Sequence, residues 1–360
     1  MREIKRKVSH PGLYIKDAIE ELGLNQTEFA LRSGLSIKNV STLISGDSRI
    51  TFDVAVKLAS FFNTGVEGWL NLQTKYDMFL NEQKTEEEMN EEWKIVKLFD
   101  SNFINNVLKL QINNNDKKKT IIDLRNCFKV GTLQALRQPD MYAFYKTSIK
   151  RDLNEKNIIM RNAWISIAEQ VARNKNCNSF NKEIIMNNRL VLRRLTLEKP
   201  EGFQPKLNRI LSEAGIKLVI LPYLSNSLVS GVTKWVANEN CVMIAINDCG
   251  KDAGKIWFSL FHEIGHAMKN HKRHLTISYE KDQIEDEDEI AANKFSKELL
   301  INEKDYCEFL KEGKFDVTSI KTFARKQQVA DFIVLGRLQK DGRVGWDKYK
   351  HLKTKYSIQI

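Results

Sequence analysis

Apolar residues in the first eighty positions recur at helical spacing and are cut by sharp stops. Leu13, Ile15, Ala18, Ile19 and Leu22 follow Pro11, which suits a first helical position, and the run ends near Gly23. A second helix is predicted from about Asn25-Gln26-Thr27 through Phe29, Ala30 and Leu31 to Ser33-Gly34. Ser36 reads as the N-cap of a third, Ile37 to Ile44, closed by Gly46. After Asp77 the chain turns acidic and Lys-rich, yet Met89, Trp93, Val96 and Phe99 keep helical intervals and predict a connecting helix. Asn113 to Lys119 reads as a loop.

From Thr120 to about Ala214 the pattern is again helical, with stops near Gly131, Pro139, Pro200 and Gly202. Trp164, Ile167, Ala168 and Val171 form a stripe of the kind that packs into a core. At Gly215 the period changes. Ile216 to Leu221 is apolar and β-branched and predicts a strand. Val232 to Ala237 and Cys241 to Ile246 predict two more, joined as a hairpin across Asn238-Glu239-Asn240. Ala253 to Lys269 returns to helical spacing, with Ile256, Leu260 and Ile264 on its apolar face and Asp252 as a cap. Strands followed by an apolar helix fit an α+β layer.

A chain of 360 residues predicts two or three domains rather than one. Its 42% hydrophobic and 29% charged content is that of a globular protein with apolar cores. No apolar run approaches the roughly 18 residues of a membrane helix, so no membrane partner is expected. Met1 to Lys7 is basic without a following apolar stretch, so no signal peptide is expected. The five cysteines form no CxxC pair, which predicts reduced thiols and a cytoplasmic setting. The net charge of +11 is uneven: residues 116–200 hold 18 Lys/Arg against 8 Asp/Glu. Such a block suits nucleic acid or an acidic protein, with a solvated helical surface as the plainer reading.

Two helices around a Gly34 turn, the second showing Lys38, Asn39, Ser41 and Thr42, make a helix-turn-helix pattern. In that arrangement the second helix enters the major groove of double-stranded DNA. Lys38 and Asn39 carry the donors needed at base edges, Ser36, Ser41 and Thr42 lie on the same segment, and Gln26 and Arg49 are placed to touch phosphates. A generic helical bundle with polar caps is the competing reading. His10-Pro11-Gly12, Leu24-Asn25-Gln26-Thr27-Glu28, Ser36 to Ser41 and Ile44-Ser45-Gly46 resemble the repressor-type helix-turn-helix of HigA antitoxins, as does Thr64 to Gln73. The resemblance covers about residues 8–80. It implies binding to an operator as a homodimer and leaves open whether a toxin partner exists.

His262-Glu263-Ile264-Gly265-His266 sets two imidazoles four residues apart on a predicted helix, where they share a face and can grip one metal ion. Glu263 then stands beside the open coordination position as a base. A catalytic zinc site takes a third protein ligand. A third histidine six residues after the second fails, because position 272 is Lys. The acidic run Glu285 to Glu289 offers a carboxylate instead, and Glu289 is the preferred ligand, with Asn293 one turn later as an outer partner for a ligand histidine. Glu287 is the rival, and the run also reads as a solvated loop. His271, His274 and Tyr279 are unranked candidates for a further donor.

Glu289, Ala292-Asn293, Phe295-Ser296 and Leu299-Leu300 behind the histidine motif resemble the ImmA/IrrE family of zinc metallopeptidases. Gly231 to Trp235, Trp257 to Phe261 and the tail from Val334 to Gly342 with Trp346 are similar to that family too. The resemblance covers roughly residues 120–350. One departure is Ile301-Asn302, where the family usually has Met-Pro, which puts the local turn in question. The resemblance implies a zincin-like fold and a gluzincin-like Zn2+ site, with His262, His266 and Glu289 as ligands and Glu263 as general base in peptide hydrolysis. The chain is thus expected to be multidomain: an all-α helix-turn-helix domain followed by an α+β zincin-like metallopeptidase domain with a small sheet. The expected boundaries are 1–80 for the DNA-binding domain, 81–119 for a helical linker and loop, 120–214 for the helical part of the peptidase region, 215–310 for the metal-binding core and 311–360 for a C-terminal helical segment packed on it. Its function is expected to be transcriptional regulation with cleavage of a repressor or other regulatory protein. Two readings compete: a HigA-like antitoxin or transcription factor whose metal site is structural or sensory, and a plain peptidase whose N-terminal helices only dimerise it.

Overall fold

The computed structural model describes residues 8–142, 145–146, 153–236, 238–269, 275–279 and 287–356. The chain divides into two compact units, Met1–Glu91 and Glu92–Ile360. Among the described residues no helix is long and apolar enough to cross a membrane.

The first unit is helical: α1 (Pro11–Glu21), α2 (Gln26–Ser33), α3 (Ile37–Ser45), α4 (Phe52–Phe62) and most of α5 (Val66–Val96). Each of the first four starts on a side chain that accepts a hydrogen bond from the backbone. His10 caps α1, Asn25 caps α2, Ser36 caps α3 and Thr51 caps α4. Gly34, with φ of 73°, ends α2 in the left-handed conformation and turns the chain towards α3. Ile15, Ile19, Phe29, Val40, Leu43, Val54, Leu58 and Trp69 form the core, so the apolar period of each helix meets the others inside.

The second unit continues with α6 (Ser101–Val107), α7 (Lys117–Phe128) and a 3-10 turn at Leu133–Arg137. Glu92 is buried and ties these pieces together, accepting from Arg125 Nε (2.9 Å) and Nη2 (2.6 Å), Thr132 Oγ1 (2.6 Å) and Leu133 N (3.1 Å). Then come β1 (Tyr145–Lys146), α8 (Glu155–Arg173), α9 (Lys182–Asn187), α10 (Arg189–Leu195), α11 (Pro200–Glu213), β2 (Ile216–Leu221), β3 (Val229–Val236), β4 (Cys241–Asn247), α12 (Ala253–Met268), β5 (Leu275–Tyr279), α13 (Glu287–Leu300), α14 (Glu303–Glu312), α15 (Val317–Gln327) and α16 (Asp331–Lys340).

The sheet has the order β1-β5-β3-β4-β2. β3 and β4 form the expected antiparallel hairpin, while β2 joins β4 and β1 joins β5 in parallel. β1 and β5 add two strands to the three that the sequence predicts, and β5 matters most because it lies beside β3. Every residue of β4 is buried, since α12 covers one face of the sheet and α8 the other. That double burial explains why its sequence is a continuous apolar run rather than an alternating one. The main core packs α12 against β2, β4, α11, α15 and α16. At the departure from the family pattern, Ile301 is buried and Asn302 caps α14 by accepting from Asp305 N at 3.2 Å, so the turn is closed by a cap.

Three arginines of the basic block are used within the unit. Arg125 pairs with Glu92, Arg161 is buried in α8, and Arg193 donates to the last carbonyls of α13 at Glu298 and Leu299.

Candidate metal centre and nucleic-acid interface

Helix α12 places His262 and His266 one turn apart, with both Nε2 atoms converging at 3.0 Å. Helix α13 carries Glu289 to the same point. Its Oε2 lies 3.1 Å from His262 Nε2 and its Oε1 3.2 Å from His266 Nε2. The approach of the two helices depends on the glycine inside the motif. A Cβ on Gly265 would stand 2.9 Å from Ala292 Cα and 3.1 Å from Ala292 O, closer than packed backbone tolerates. His262 Nδ1 donates to Asn293 Oδ1 at 3.1 Å, which leaves Nε2 with its lone pair aimed at the convergence point. Lys269 Nζ reaches Asp288 Oδ1 at 2.8 Å and Glu287 O at 3.1 Å, tying the end of α12 to the start of α13.

All three donor residues are buried, and the three donor atoms lie within 4.8 Å of one another. Two imidazole nitrogens and a carboxylate in a desolvated spot form a set that fits a divalent cation such as zinc. The electrostatics agree with that demand for positive charge. Burial opposes ionisation of Glu289, but hydrogen bonds and charge from both histidines outweigh it and hold its carboxyl well below the usual range. Burial likewise opposes protonation of His262, yet Glu289 and Glu263 raise its pKa above the ordinary value.

Glu263 is fully buried beneath β3. Thr233 Oγ1 lies 2.6 Å from Glu263 Oε2 and 3.0 Å from the Glu263 carbonyl, anchoring that half of the carboxylate. The other oxygen, Oε1, has no hydrogen-bond partner among the described residues. Its place is cleared by Gly231, where a Cβ would lie 2.3 Å from Oε1 and 2.7 Å from Cδ. The sequence alone does not mark Gly231, Thr233 or Gly265 for these roles. The signal for the first two was the strand period itself, which puts residues 231 and 233 on one face, towards α12.

Glu287, the rival ligand, is exposed and outside the cluster. Tyr279 does not join the site either. It stands on the opposite face of the sheet, with its hydroxyl 3.5 Å from Arg161 Nη1 of α8. His271, His274, Glu285 and Asp286 lie outside the described residues.

In the first unit, Gln26, Ser36, Lys38, Asn39 and Ser41 are exposed. Ser36 Oγ accepts from Asn39 N at 3.1 Å and so also serves as the cap of α3. Thr42 is half-buried. Its hydroxyl bonds the carbonyl of Lys38 at 3.0 Å and accepts from Ser48 Oγ at 3.0 Å. Arg49 is exposed but pairs with Asp77 of α5.

A helix-turn-helix domain model matches residues 15–69, and an IrrE N-terminal-like domain model matches residues 212–338. The uncharacterized HTH-type transcriptional regulator YbaQ of Escherichia coli (strain K12) is 34% identical over 92 residues, 25% of this chain and 81% of that protein. The chain belongs to the helix-turn-helix regulators and carries an IrrE N-terminal-like domain. Antitoxin HigA-1 of Vibrio cholerae is 34% identical to this helix-turn-helix regulator over 89 residues, 24% of this chain and 84% of its own. A crystal structure of PA4674 in complex with its operator DNA from Pseudomonas aeruginosa is 25% identical, covering 21% of this chain and 82% of that one, with a TM-score of 0.20. The regulator thus joins an antitoxin-like helix-turn-helix domain to a peptidase-family domain containing a His/His/Glu cluster.

Proposed function

We propose that the protein is a DNA-binding transcriptional regulator whose C-terminal domain is a zinc-dependent endopeptidase acting on a repressor or other regulatory protein in the cytoplasm. The observation that carries this reading is the meeting of His262, His266 and Glu289 beside a carboxylate, Glu263, that is held by one oxygen and, among the described residues, without a partner at the other. His262, His266 and Glu289 would hold a zinc ion, which would supply a Lewis acid for the peptide carbonyl and lower the pKa of water towards neutrality. Glu263 Oε1 takes the proton that water gives up, while Thr233 keeps the carboxylate from swinging away. Asn293 fixes the His262 ring in the tautomer a ligand needs. The exposed Lys38, Asn39 and Ser41 of α3 meet base edges, Gln26 and Ser36 meet the backbone, and two copies bind a two-fold operator. The helix-turn-helix domain brings the peptidase to regulatory DNA, which supports a regulatory protein as substrate.

Incubation of the zinc-loaded chain with repressors or toxins encoded beside it tests the claim. Cleavage that disappears in Glu263→Gln supports it, and intact substrates with full zinc occupancy contradict it. The likeness to antitoxin HigA-1 favours a second reading, in which the metal site is structural or sensory and the partner is a toxin. The free Glu263 oxygen favours the first, because a structural site has no use for a buried base.

A further inference from the structure

Strand β5 pairs with β3 in a register that sets Ser278 opposite Gly231 and Thr276 opposite Thr233. Side chains of directly opposed residues stand on the same face of a sheet. The face is fixed independently on both strands: Thr233 reaches Glu263 of α12, while Tyr279, one residue from Ser278, reaches Arg161 of α8. Ser278 therefore projects towards α12, next to the gap that Gly231 leaves for Glu263. It is 5% exposed, and its hydroxyl has no hydrogen-bond partner among the described residues. Two buried, unpartnered oxygens, Ser278 Oγ and Glu263 Oε1, thus flank one glycine. Opposed Cβ positions lie about 4.5–5.5 Å apart. The Gly231 Cβ position is 2.3 Å from Oε1, so Ser278 and the Glu263 carboxylate stand on the same side of β3, around Gly231.

A carboxylate offers only acceptors, and a hydroxyl accepts as readily as it donates. The group that suits such a pair is a nitrogen bearing hydrogens. We propose that Ser278 is a substrate-contacting residue: its hydroxyl accepts a hydrogen bond from the peptide nitrogen that receives the proton from Glu263. This rests on the peptidase reading of the same site. In the hydrolysis the water oxygen bonds to the carbonyl carbon and the C–N bond breaks. One water proton passes through Glu263 to the nitrogen, which leaves as an amine, and the other remains with the new carboxyl group. Ser278 holds the nitrogen beside Oε1 during that transfer. Thr233 cannot do this, being engaged with Oε2.

The test uses the full chain loaded with Co2+ as a spectroscopic substitute, titrated with acetohydroxamic acid and with its N-methyl analogue, which lacks the N–H. The wild-type chain should prefer the N–H probe. Ser278→Ala should weaken that probe by about three- to tenfold, the size of one hydrogen bond, and leave the N-methyl probe unchanged. Ser278→Thr should restore the preference. Equal loss for both probes, or no loss for either, overturns the assignment, as does a wild-type chain that does not distinguish the probes. The last comparison stands even if Ser278→Ala fails to fold. If Co2+ binds and neither probe perturbs its spectrum, the peptidase reading of the site fails; if no Co2+ binds at all, the metal-centre reading fails; in either case the role of Ser278 falls with it.

Discussion

Gly231 illustrates how a residue without a side chain shapes the candidate site. A methyl group there would collide with the Glu263 carboxylate at 2.3 Å, so either the strand or the base must move. Gly231→Ala should therefore lower peptide cleavage by about 100-fold or more, the range lost when a general base is misplaced, while zinc content stays at the wild-type level. Parallel cleavage rates and elemental analysis check this, and loss of metal with activity would instead indicate collapse of the whole site. Thr233 acts from the same strand, and Thr233→Val, which keeps the shape and removes the hydroxyl, should cost about tenfold in rate. Helical spacing puts His262 and His266 on one face of α12, whereas Glu289, on the separate helix α13, had to be chosen from an acidic run in which Glu287 was its rival. The roles of Gly231 and Thr233 were not legible, because they depend on which strand lies over the helix.

The contact between α12 and α13 sets where Glu289 stands. Gly265 permits it, since any Cβ there meets the Ala292 backbone at 2.9 Å. Gly265→Ala should part the helices, lower stability by about 1–3 kcal/mol and weaken metal binding. Urea unfolding and competition with a chelator measure both. Helices and the β3–β4 hairpin were legible from period and turn residues. Strand β5 was not, although Leu275, Ile277 and Tyr279 alternate with Thr276 and Ser278 in the two-residue period of a strand. Its five residues are too short a run to stand out beside the basic stretch before it. At another joint, Glu92 binds α7 and the 3-10 turn, and despite burial its hydrogen bonds to Arg125, Thr132 and Leu133 lower its pKa from 4.5. A folded-state pKa below the unfolded one contributes stability above about pH 4.5 that is lost as pH falls below it. The urea midpoint should drop on acidification below that pH, and less steeply in Glu92→Gln, which starts from a lower stability at neutral pH.

At the scale of the whole molecule, a helix-turn-helix domain and a peptidase-family domain share one chain, and substitutions should separate their functions. Lys38→Ala with Asn39→Ala should reduce affinity for DNA from the promoter of the protein's own gene by about 10-fold or more, since each base contact is worth about 1–3 kcal/mol. Zinc content and cleavage should be unchanged in that variant. Unchanged mobility shifts would count against α3 as the recognition helix. The sequence pattern placed a helical domain before an α+β domain, and both are present; the division falls at Glu91–Glu92, inside the long helix α5. The central claim is that His262, His266 and Glu289 form one zinc site. Elemental analysis of the purified chain, with Glu289→Ala beside it, tests that most directly. About one zinc per chain in the wild type and almost none in the variant is the expected result, whereas a wild-type chain that stays metal-free after zinc loading, or a variant that retains its zinc, would contradict it.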